Sequence, residues 1–417
     1  MLIGGNMKKS VLVNDNATGL SISLDRGPYQ NNGASPWYAY VGVGTAAQTL
    51  KFSFDTGSNF IWVTSSLCKV DTCHHYGDQQ FIYQLSSSFS WVDQQTMSVD
   101  FGPWGSMAVK TGQDRLTLTP DALGQIDTGP ISLSSDLYLA QAYEGVQFRE
   151  LDWDGGIGIP STTELSEVSF AAFSYRGIAT QQTSEPTSFH FFQSLVEQGV
   201  VSAKCPYVAF LTNLDEGNGQ VEFGHLNQDY RNSREYLFLP WQPYSIPSVA
   251  YIWTSPLTSF SVGDKKLIGE PNAEESTYFF SLDSGSSQFK GDPSVMNEAF
   301  LLTSKNGQDV TIELGKTDQD ENGKLVIPAS IYDVYIEQGE DKGEVISQFA
   351  PLEGLDDLVL VGSVLMDYLY TVYEYEIITT ESETSIKPIG MWIFNKLNGP
   401  KVIVTEQSQV ARIFQLR

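Results

Sequence analysis

Phe52-Ser53-Phe54-Asp55-Thr56-Gly57-Ser58 recurs in the second half of the chain as Phe280-Ser281-Leu282-Asp283-Ser284-Gly285-Ser286. In both copies an apolar run of strand length ends in an aspartate, and a hydroxyl residue and a glycine follow it. Each copy also has an apolar, glycine-containing partner downstream, at Gly156-Ile157-Gly158-Ile159 and at Val359-Leu360-Val361-Gly362. An ordered repeat of this kind predicts two homologous halves.

The sequence around the repeat is typical of a mainly β protein. Aromatic residues make up 12% of the 417 residues, and aromatic and β-branched residues favour strands. Helical patterns are confined to Phe189 to Gln198 and Pro293 to Thr303. Alternating or apolar runs predict strands at Trp37 to Val43, Leu50 to Phe54, Phe60 to Thr64, Met97 to Phe101, Gln220 to Phe223, Tyr278 to Leu282 and Leu358 to Val361.

The positions of the two aspartates predict the division of the chain. We expect an N-terminal segment over residues 1–34, which is rich in Asn and Gly. An N-terminal lobe over 35–228 holds the first aspartate, and a C-terminal lobe over 229–417 holds the second.

The charge balance excludes some partners. A formal net charge of -26 repels both a nucleic acid backbone and an anionic membrane surface. No apolar stretch approaches the roughly 20 residues of a membrane span. With only 24 Lys and Arg residues, the molecule builds little positive charge when its carboxylates are protonated, so the composition permits work in acid. Surplus carboxylates that simply keep the surface soluble explain the same composition.

The repeated aspartates are suited to acid–base chemistry. Where pseudo-symmetry brings the two loops face to face, the carboxyls cannot both ionise, and one proton is shared between them over a wide pH range. The glycine after each aspartate lets backbone amides approach the carboxylate closely. This proton sharing is the behaviour known for the aspartic-protease dyad.

Further motifs extend the similarity beyond the repeat. Tyr40 to Val63, Trp153 to Gly158, Val221 to Gly224 and Leu360 to Tyr373 occur in the order found in the pepsin-like aspartic proteases. The chain resembles that family over about residues 36 to 395, and in particular its non-secreted bacterial members without a prosegment. The resemblance implies a bilobal fold of two pseudo-symmetric β lobes, with a cleft between them, a flap hairpin over the cleft, and no cofactor.

The resemblance also assigns roles to residues of the repeat. Asp55 and Asp283 are expected to be the catalytic pair, one as general base on a bound water and the other as the acid. Gly57 and Gly285 are expected to hold the two loops close together. Ser58 and Ser286 match the hydroxyl residues that support the pair.

The expected flap departs from the family pattern. Phe101, followed by Gly102, stands where the family carries a tyrosine, and a phenyl ring can cover substrate but cannot bond the indole of Trp62. We expect Trp104 at the hairpin tip to act either as an aromatic lid or as an ordinary tip residue.

Other motifs carry weaker signals. Cys68 and Cys73 occupy a loop where family members often have a small disulfide, and both a bridge and free thiols stay open. Cys73-His74-His75 has no second cluster of ligands, so we expect no metal. Asp127-Thr128-Gly129 repeats the tripeptide, but Pro130 follows it, which predicts a turn.

These features predict a monomeric, pepstatin-sensitive endopeptidase that cleaves extended, partly hydrophobic polypeptides at acidic pH. The alternative is a catalytically weak or inactive homologue that binds a protein or a glycan. The apolar run Val11-Leu12-Val13 is too short for a signal peptide. We therefore expect a cytoplasmic protein, with a periplasmic or secreted location as the alternative.

Overall fold

Strands dominate the computed structural model, which describes residues 19–69, 71–100, 105–121, 129–145, 147–162, 190–246, 249–269, 278–316, 322–380 and 384–404. Within these ranges the strands assemble into sheets of 13, eight and two strands. The mainly β prediction is therefore confirmed.

The first sheet has the strand order β11-β23-β22-β9-β10-β1-β2-β3-β8-β4-β7-β6-β5. It joins strands from both halves of the sequence. Its members are β1 (Leu20–Arg26), β2 (Trp37–Val43), β3 (Gln48–Asp55), β4 (Ile61–Thr64), β5 (Ser90–Asp100), β6 (Ser106–Leu118), β7 (Ile131–Glu144), β8 (Gly155–Gly158), β9 (Tyr207–Asn213), β10 (Asn218–Phe223), β11 (Tyr236–Pro240), β22 (Leu369–Thr379) and β23 (Thr384–Asn395).

The second sheet is built from the C-terminal half and has the order β17-β16-β12-β14-β21-β15-β20, with β13 paired to β12. Its strands are β12 (Thr254–Val262), β13 (Lys265–Ile268), β14 (Tyr278–Leu282), β15 (Phe289–Gly291), β16 (Val310–Lys316), β17 (Asn322–Ile327), β20 (Phe349–Pro351) and β21 (Leu358–Val361). The small sheet pairs β18 (Asp333–Tyr335) with β19 (Val345–Ser347).

The same four-strand arrangement occurs once in each half. In the first half β3 pairs parallel with β8, β8 pairs antiparallel with β4, and β4 pairs parallel with β7. In the second half β14, β21, β15 and β20 repeat this order and these directions. The predicted partners of the two aspartate strands, β8 and β21, are therefore correct, and the bilobal β fold is confirmed.

Buried aromatic and aliphatic side chains anchor the two aspartate strands. Phe52 and Phe54 of β3, and Phe280 and Leu282 of β14, are at most 2% exposed and lie in one continuous apolar core. Because interiors are close-packed, side chains held in this way fix the loops that follow the strands.

Strand β1 lies in the segment that we predicted to precede the N-terminal lobe. It pairs antiparallel with β10 from Leu20 opposite Phe223 to Asp25 opposite Asn218, and it also pairs with β2. Leu20, Ile22 and Leu24 are buried and alternate with polar residues. That period-two pattern is a strand signal, and our strand predictions did not include it.

Helices are few and short in the described part of the chain. They are α1 (Phe191–Glu197), α2 (Pro293–Asn306), α3 (Ala329–Tyr332) and α4 (Ser363–Met366), with 3-10 turns at Tyr83–Leu85, Gln147–Glu150 and Gln228–Asn232. The Asp292 carboxylate caps α2 by accepting from the Ser294 amide, and Gly307, with φ of 56°, ends it. None of these helices is both long and apolar enough to span a bilayer.

Candidate active site

The two repeat loops face each other, and each glycine lies against the opposite carboxyl. A Cβ atom added to Gly57 would lie 2.6 Å from Asp283 Cγ, and one added to Gly285 would lie 2.4 Å from Asp55 Cγ. Contacts this short leave no room for a side chain at either position. Glycine is therefore required because the two carboxyls approach the backbone of the opposite loop.

Backbone amides orient each carboxyl from its own loop. The Gly57 N–H donates to Asp55 Oδ1 over 2.8 Å, and the Gly285 N–H donates to Asp283 Oδ1 over 2.9 Å. The two loops are thus near copies in their immediate geometry.

The hydroxyl residues between aspartate and glycine cross from one loop to the other. Thr56 Oγ1 donates to the Leu282 carbonyl and accepts from the Ser284 N–H, over 3.1 and 3.0 Å. Ser284 Oγ donates to the Phe54 carbonyl and accepts from the Thr56 N–H, over 2.7 and 3.0 Å. All these groups are buried, so four hydrogen bonds clamp the two loops in one register.

Ser58 and Ser286, the serines that follow the two glycines, differ in their hydrogen bonds to the aspartates. Ser286 Oγ donates to Asp283 Oδ2 over 2.7 Å. The Ser58 hydroxyl is buried near Asp55 but does not reach hydrogen-bond geometry. The second aspartate is also the more buried, with 7% of its surface exposed, whereas Asp55 is partly exposed.

The pairing of the carboxyls changes their titration. Removal from bulk water, followed by the charge of Asp283, holds the pKa of Asp55 well above its ordinary value. Two carboxyls this close share one proton, so the pair carries a single negative charge over a broad pH range.

Two buried tyrosines that no sequence pattern assigned to the site support it. The Tyr373 hydroxyl donates to the Leu282 carbonyl over 3.1 Å and lies 3.4 Å from Thr56 Oγ1. Burial raises the pKa of Tyr251, and the charges of Asp55 and Asp283 raise it further. Both rings therefore stay neutral beside the carboxyl pair.

A buried lysine that contacts Asp283 through Ser286 was also not predicted from the sequence. Lys290 Nζ donates to the Gly33 carbonyl over 2.7 Å and to Ser286 Oγ over 3.1 Å. Burial lowers the pKa of Lys290 to about 8, against the opposing pull of Asp283 and Asp55. Its spacing offered a signal, because Lys290 follows Asp283 by seven residues, as Trp62 follows Asp55.

Comparison with known proteins agrees with this geometry. The model of the family described as eukaryotic aspartyl protease matches residues 36–381, more than four-fifths of the chain. The chain belongs to this family.

Individual relatives are distant. Pepsin A from Bos taurus is 25% identical over 55% of this chain and 52% of its own length, and vacuolar protease A from Neurospora crassa is 26% identical over 48% and 42%. The match therefore spans about half the length of these two proteins. Pepsin A from Sus scrofa is 23% identical over 83% of this chain and 80% of its own length.

The flap of this aspartyl protease homologue is a hairpin of β5 and β6, paired up to Asp100 opposite Ser106. The predicted tip residues Phe101, Gly102 and Trp104 lie outside the described residues, so their roles stay predictions. Trp62 is 3% exposed and packs edge-on against Tyr143 and Phe148.

The cysteine loop beside the flap is closed by a disulfide between Cys68 and Cys73. Of the two alternatives for this pair, the structure has the bridge. His75 Nε2 lies 2.9 Å from Asp154 Oδ1, which makes it a buried structural partner of that carboxylate. Across the residues described, no three His, Cys, Asp or Glu side chains are grouped to hold a metal ion. Asp127 and Thr128 lie outside the described residues.

Proposed function

We propose that the protein is an aspartic endopeptidase that hydrolyses extended, partly hydrophobic polypeptides at acidic pH. The observation that carries the proposal is the pair of facing carboxyls, in which the pKa of Asp55 is raised by burial and by Asp283. A pair that shares one proton presents an acid and a base to the same substrate atoms.

The chemistry needs only these two groups and water. The ionised carboxyl takes a proton from a water molecule as its oxygen attacks the scissile carbonyl carbon. The protonated carboxyl donates to the carbonyl oxygen, which gives a tetrahedral diol. The carboxyl that took the proton from water then donates it to the amide nitrogen, while the other carboxylate takes a proton from a hydroxyl of the diol. The C–N bond breaks, a carboxylic acid and an amine leave, and the pair again holds one proton. No covalent intermediate with the protein forms.

The partners of the enzyme follow from the fold and the charge. A cleft under a β-hairpin flap suits a single extended polypeptide, which we propose as the substrate. The net charge of -26 disfavours nucleic acids and anionic membranes. We propose that the enzyme acts as a monomer and that pepstatin, a mimic of the tetrahedral diol, inhibits it.

The Cys68–Cys73 disulfide indicates in which cellular compartment the protein is located. Disulfides persist in oxidising environments and are rare in the cytosol. The Cys68–Cys73 bridge therefore favours a periplasmic or secreted location over the cytoplasmic one, and we propose the former. Cell fractionation with antibody detection tests this, and recovery of the protein in the cytosol alone would contradict it.

The activity is tested by cleavage of an unfolded protein between pH 3 and 7, with and without pepstatin. We expect cleavage in acid that pepstatin blocks and that Asp283→Asn reduces at least about 10³-fold, because the variant removes one member of the acid–base pair. The matched control is Asp264→Asn, which changes an exposed carboxylate in the β12–β13 turn and should leave cleavage unchanged.

Failure of this assay points to the alternative function. If a folded wild-type protein cleaves nothing at any pH and does not bind pepstatin, the proposal is wrong. The chain is then better described as a homologue that binds a protein or a glycan. Cleavage that survives in Asp283→Asn would equally reject the carboxyl pair as the catalytic centre.

A further inference from the structure

Lys290 occupies the position in the second half that Trp62 occupies in the first. Trp62 lies in β4 and pairs with Gly156 of β8, and Lys290 lies in β15 and pairs with Leu360 of β21. The two strands correspond in the repeated four-strand arrangement. The second half therefore has an ammonium group at the strand position where the first half has an indole.

The contacts of Lys290 lead directly to the carboxyl pair. Its side chain is buried, with 4% of the residue exposed. Nζ donates to Ser286 Oγ over 3.1 Å, and Ser286 Oγ donates to Asp283 Oδ2 over 2.7 Å. These two hydrogen bonds place the ammonium nitrogen within about 6 Å of Asp283 Oδ2, a distance at which charges interact strongly in a protein interior.

Among the described residues, carboxyls are the charged groups that act on Lys290 or line its cavity. Asp283 and Asp55 face it from the two repeat loops. Glu150, Glu340 and Asp341 line the same cavity of about 660 Å³ that Lys290 lines. The neighbouring strands β20 and β21 contribute apolar residues, and the adjacent Gln288 is uncharged.

We propose that Lys290 is a positioning residue that orients Ser286 toward Asp283 and moves the working pH range of the carboxyl pair toward acid. This inference rests on the proposed function. The active pair carries one negative charge, and a nearby cation stabilises that charge against protonation. The same cation also stabilises the doubly ionised pair, so both limbs of the pH profile move to lower pH.

The size of the effect follows from the distance. Two unit charges about 6 Å apart interact strongly enough to move a titration by about 0.5 to 2 pH units, depending on how well the site is screened. Lys290 is cationic throughout the acidic range because its pKa is about 8.

The test is the pH profile of kcat/KM between pH 2.5 and 7.5 for the wild type, Lys290→Met, Lys290→Gln and Lys290→Arg. We expect both limbs to move up by about 0.5 to 2 pH units in the Met and Gln variants and to stay near wild type in the Arg variant. Gln keeps hydrogen-bond donors without the charge, so it reports the charge even if Met prevents folding. An unmoved profile in a folded Met or Gln variant would overturn the inference.

Lys396→Met is the matched control. Lys396 is partly buried and its pKa is also lowered to about 8 by burial, but its acidic neighbours are Asp367 and Asp215 rather than the carboxyl pair. Its loss should lower stability without moving the profile. A profile that moves equally in this variant would show a general effect of losing a buried lysine and would overturn the inference.

A second readout separates this inference from the proposed function. If the wild type cleaves nothing, the proposed function fails, and the melting temperature is measured from pH 3 to 7 instead. The stability advantage of wild type over Lys290→Gln should then grow with pH, because the buried ammonium gains its counter-charge as the pair ionises. A constant difference would overturn the role of Lys290 as well.

Discussion

The loops around Asp55 and Asp283 have the same inner geometry and different surroundings. In both, a glycine N–H fixes one carboxyl oxygen, and a hydroxyl crosses to the opposite loop. In the first half, Trp62 packs in an aromatic group with Phe60, Tyr138 and Phe148. Behind Asp283 lies a polar chain from Ser286 to Lys290.

The comparison separates the hydrogen bonds that both loops share from the surrounding groups that differ between them. The inner hydrogen bonds hold the two carboxyls at a fixed distance, and they are the same in both loops. The outer groups, which affect how readily each carboxyl ionises, differ between the two loops. Hydrogen bonds and a cation favour the ionised form of a carboxyl. The hydrogen bond from Ser286 and the cation of Lys290 both lie on the Asp283 side of the pair.

The largest expected effect tests the symmetry of the inner loops. Gly57→Ala and Gly285→Ala each place a methyl group within 2.7 Å of the opposite carboxyl, and the carboxyls must move apart to accept it. We expect each variant to lose about 100-fold in kcat/KM, since small displacements of catalytic groups are costly. Steady-state kinetics on one peptide substrate would measure both losses.

The control for this pair is Gly217→Ala. A methyl there meets no atom within 4 Å, although φ of 64° makes alanine strained. It should cost about 1–2 kcal/mol of stability and leave kcat/KM unchanged. A fully active Gly57→Ala or Gly285→Ala would show that the loops do not need their close approach.

The next effect concerns the crossing hydroxyls. Ser284→Ala removes the side-chain partner of the buried Thr56 N–H and of the Phe54 C=O, and each group left unpaired costs about 1–3 kcal/mol of unfolding free energy. Thr56→Val removes the partner of the Ser284 N–H, but the Leu282 C=O keeps its hydrogen bond from the Tyr373 hydroxyl. We expect the larger loss from Ser284→Ala and a double variant that is less destabilised than the sum of the two. Urea denaturation measures these values, and Thr56→Ser, which keeps the hydroxyl, is the control.

Strict additivity of the two substitutions would contradict the clamp. It would mean that the hydroxyls act in independent local bonds rather than as one unit. A loss from Thr56→Val as large as that from Ser284→Ala would show that the Tyr373 hydroxyl does not compensate at the Leu282 carbonyl.

The smallest expected effect is the change in melting temperature with pH when either aspartate is replaced by asparagine. A carboxyl whose pKa is raised by folding stabilises the protein below its unfolded pKa, and that contribution is lost as the pH rises through the folded value. Asp55→Asn removes this loss, so it should raise the melting temperature at pH 7 and change it little at pH 3. Thermal scans should show a gain of about 2–4 °C at pH 7, which corresponds to roughly 1 kcal/mol in a large domain.

Asp283→Asn should behave differently in the same thermal scans. It deprives the buried Lys290 ammonium of one of its carboxylate neighbours, so we expect a lower melting temperature at pH 7. Equal responses of the two variants at both pH values would remove the proposed asymmetry.

Much of the fold was predictable because its signals are local. The seven-residue repeat and its glycine-containing partners identified β3, β8, β14 and β21, since strand pairing follows apolar runs that end at fixed points. Pro293 and the residues after it predicted α2 for the same reason. Strand β1 was missed although its alternation is clear, because the polar composition of residues 1–34 outweighed it.

The site was predictable only where the two halves repeat each other. Asp55 and Asp283 stand out because each follows the same motif. Tyr251 and Tyr373 reach the carboxyl pair only through tertiary packing. The offset of seven residues from Asp283 gave a signal for the position of Lys290, but nothing in the local sequence indicates that this lysine is buried. The disulfide could not be predicted because spacing alone does not determine whether two thiols are bonded.

The most direct test of the account compares kcat/KM of Asp55→Asn, Asp283→Asn and the double variant at the acidic optimum of the wild type. If the two half-sites form one proton-sharing unit, each single variant loses about as much activity as the double variant, because removing either member disables the pair. A single variant that retains substantial activity, or losses that multiply in the double variant, would show that the carboxyls act separately and would contradict the account.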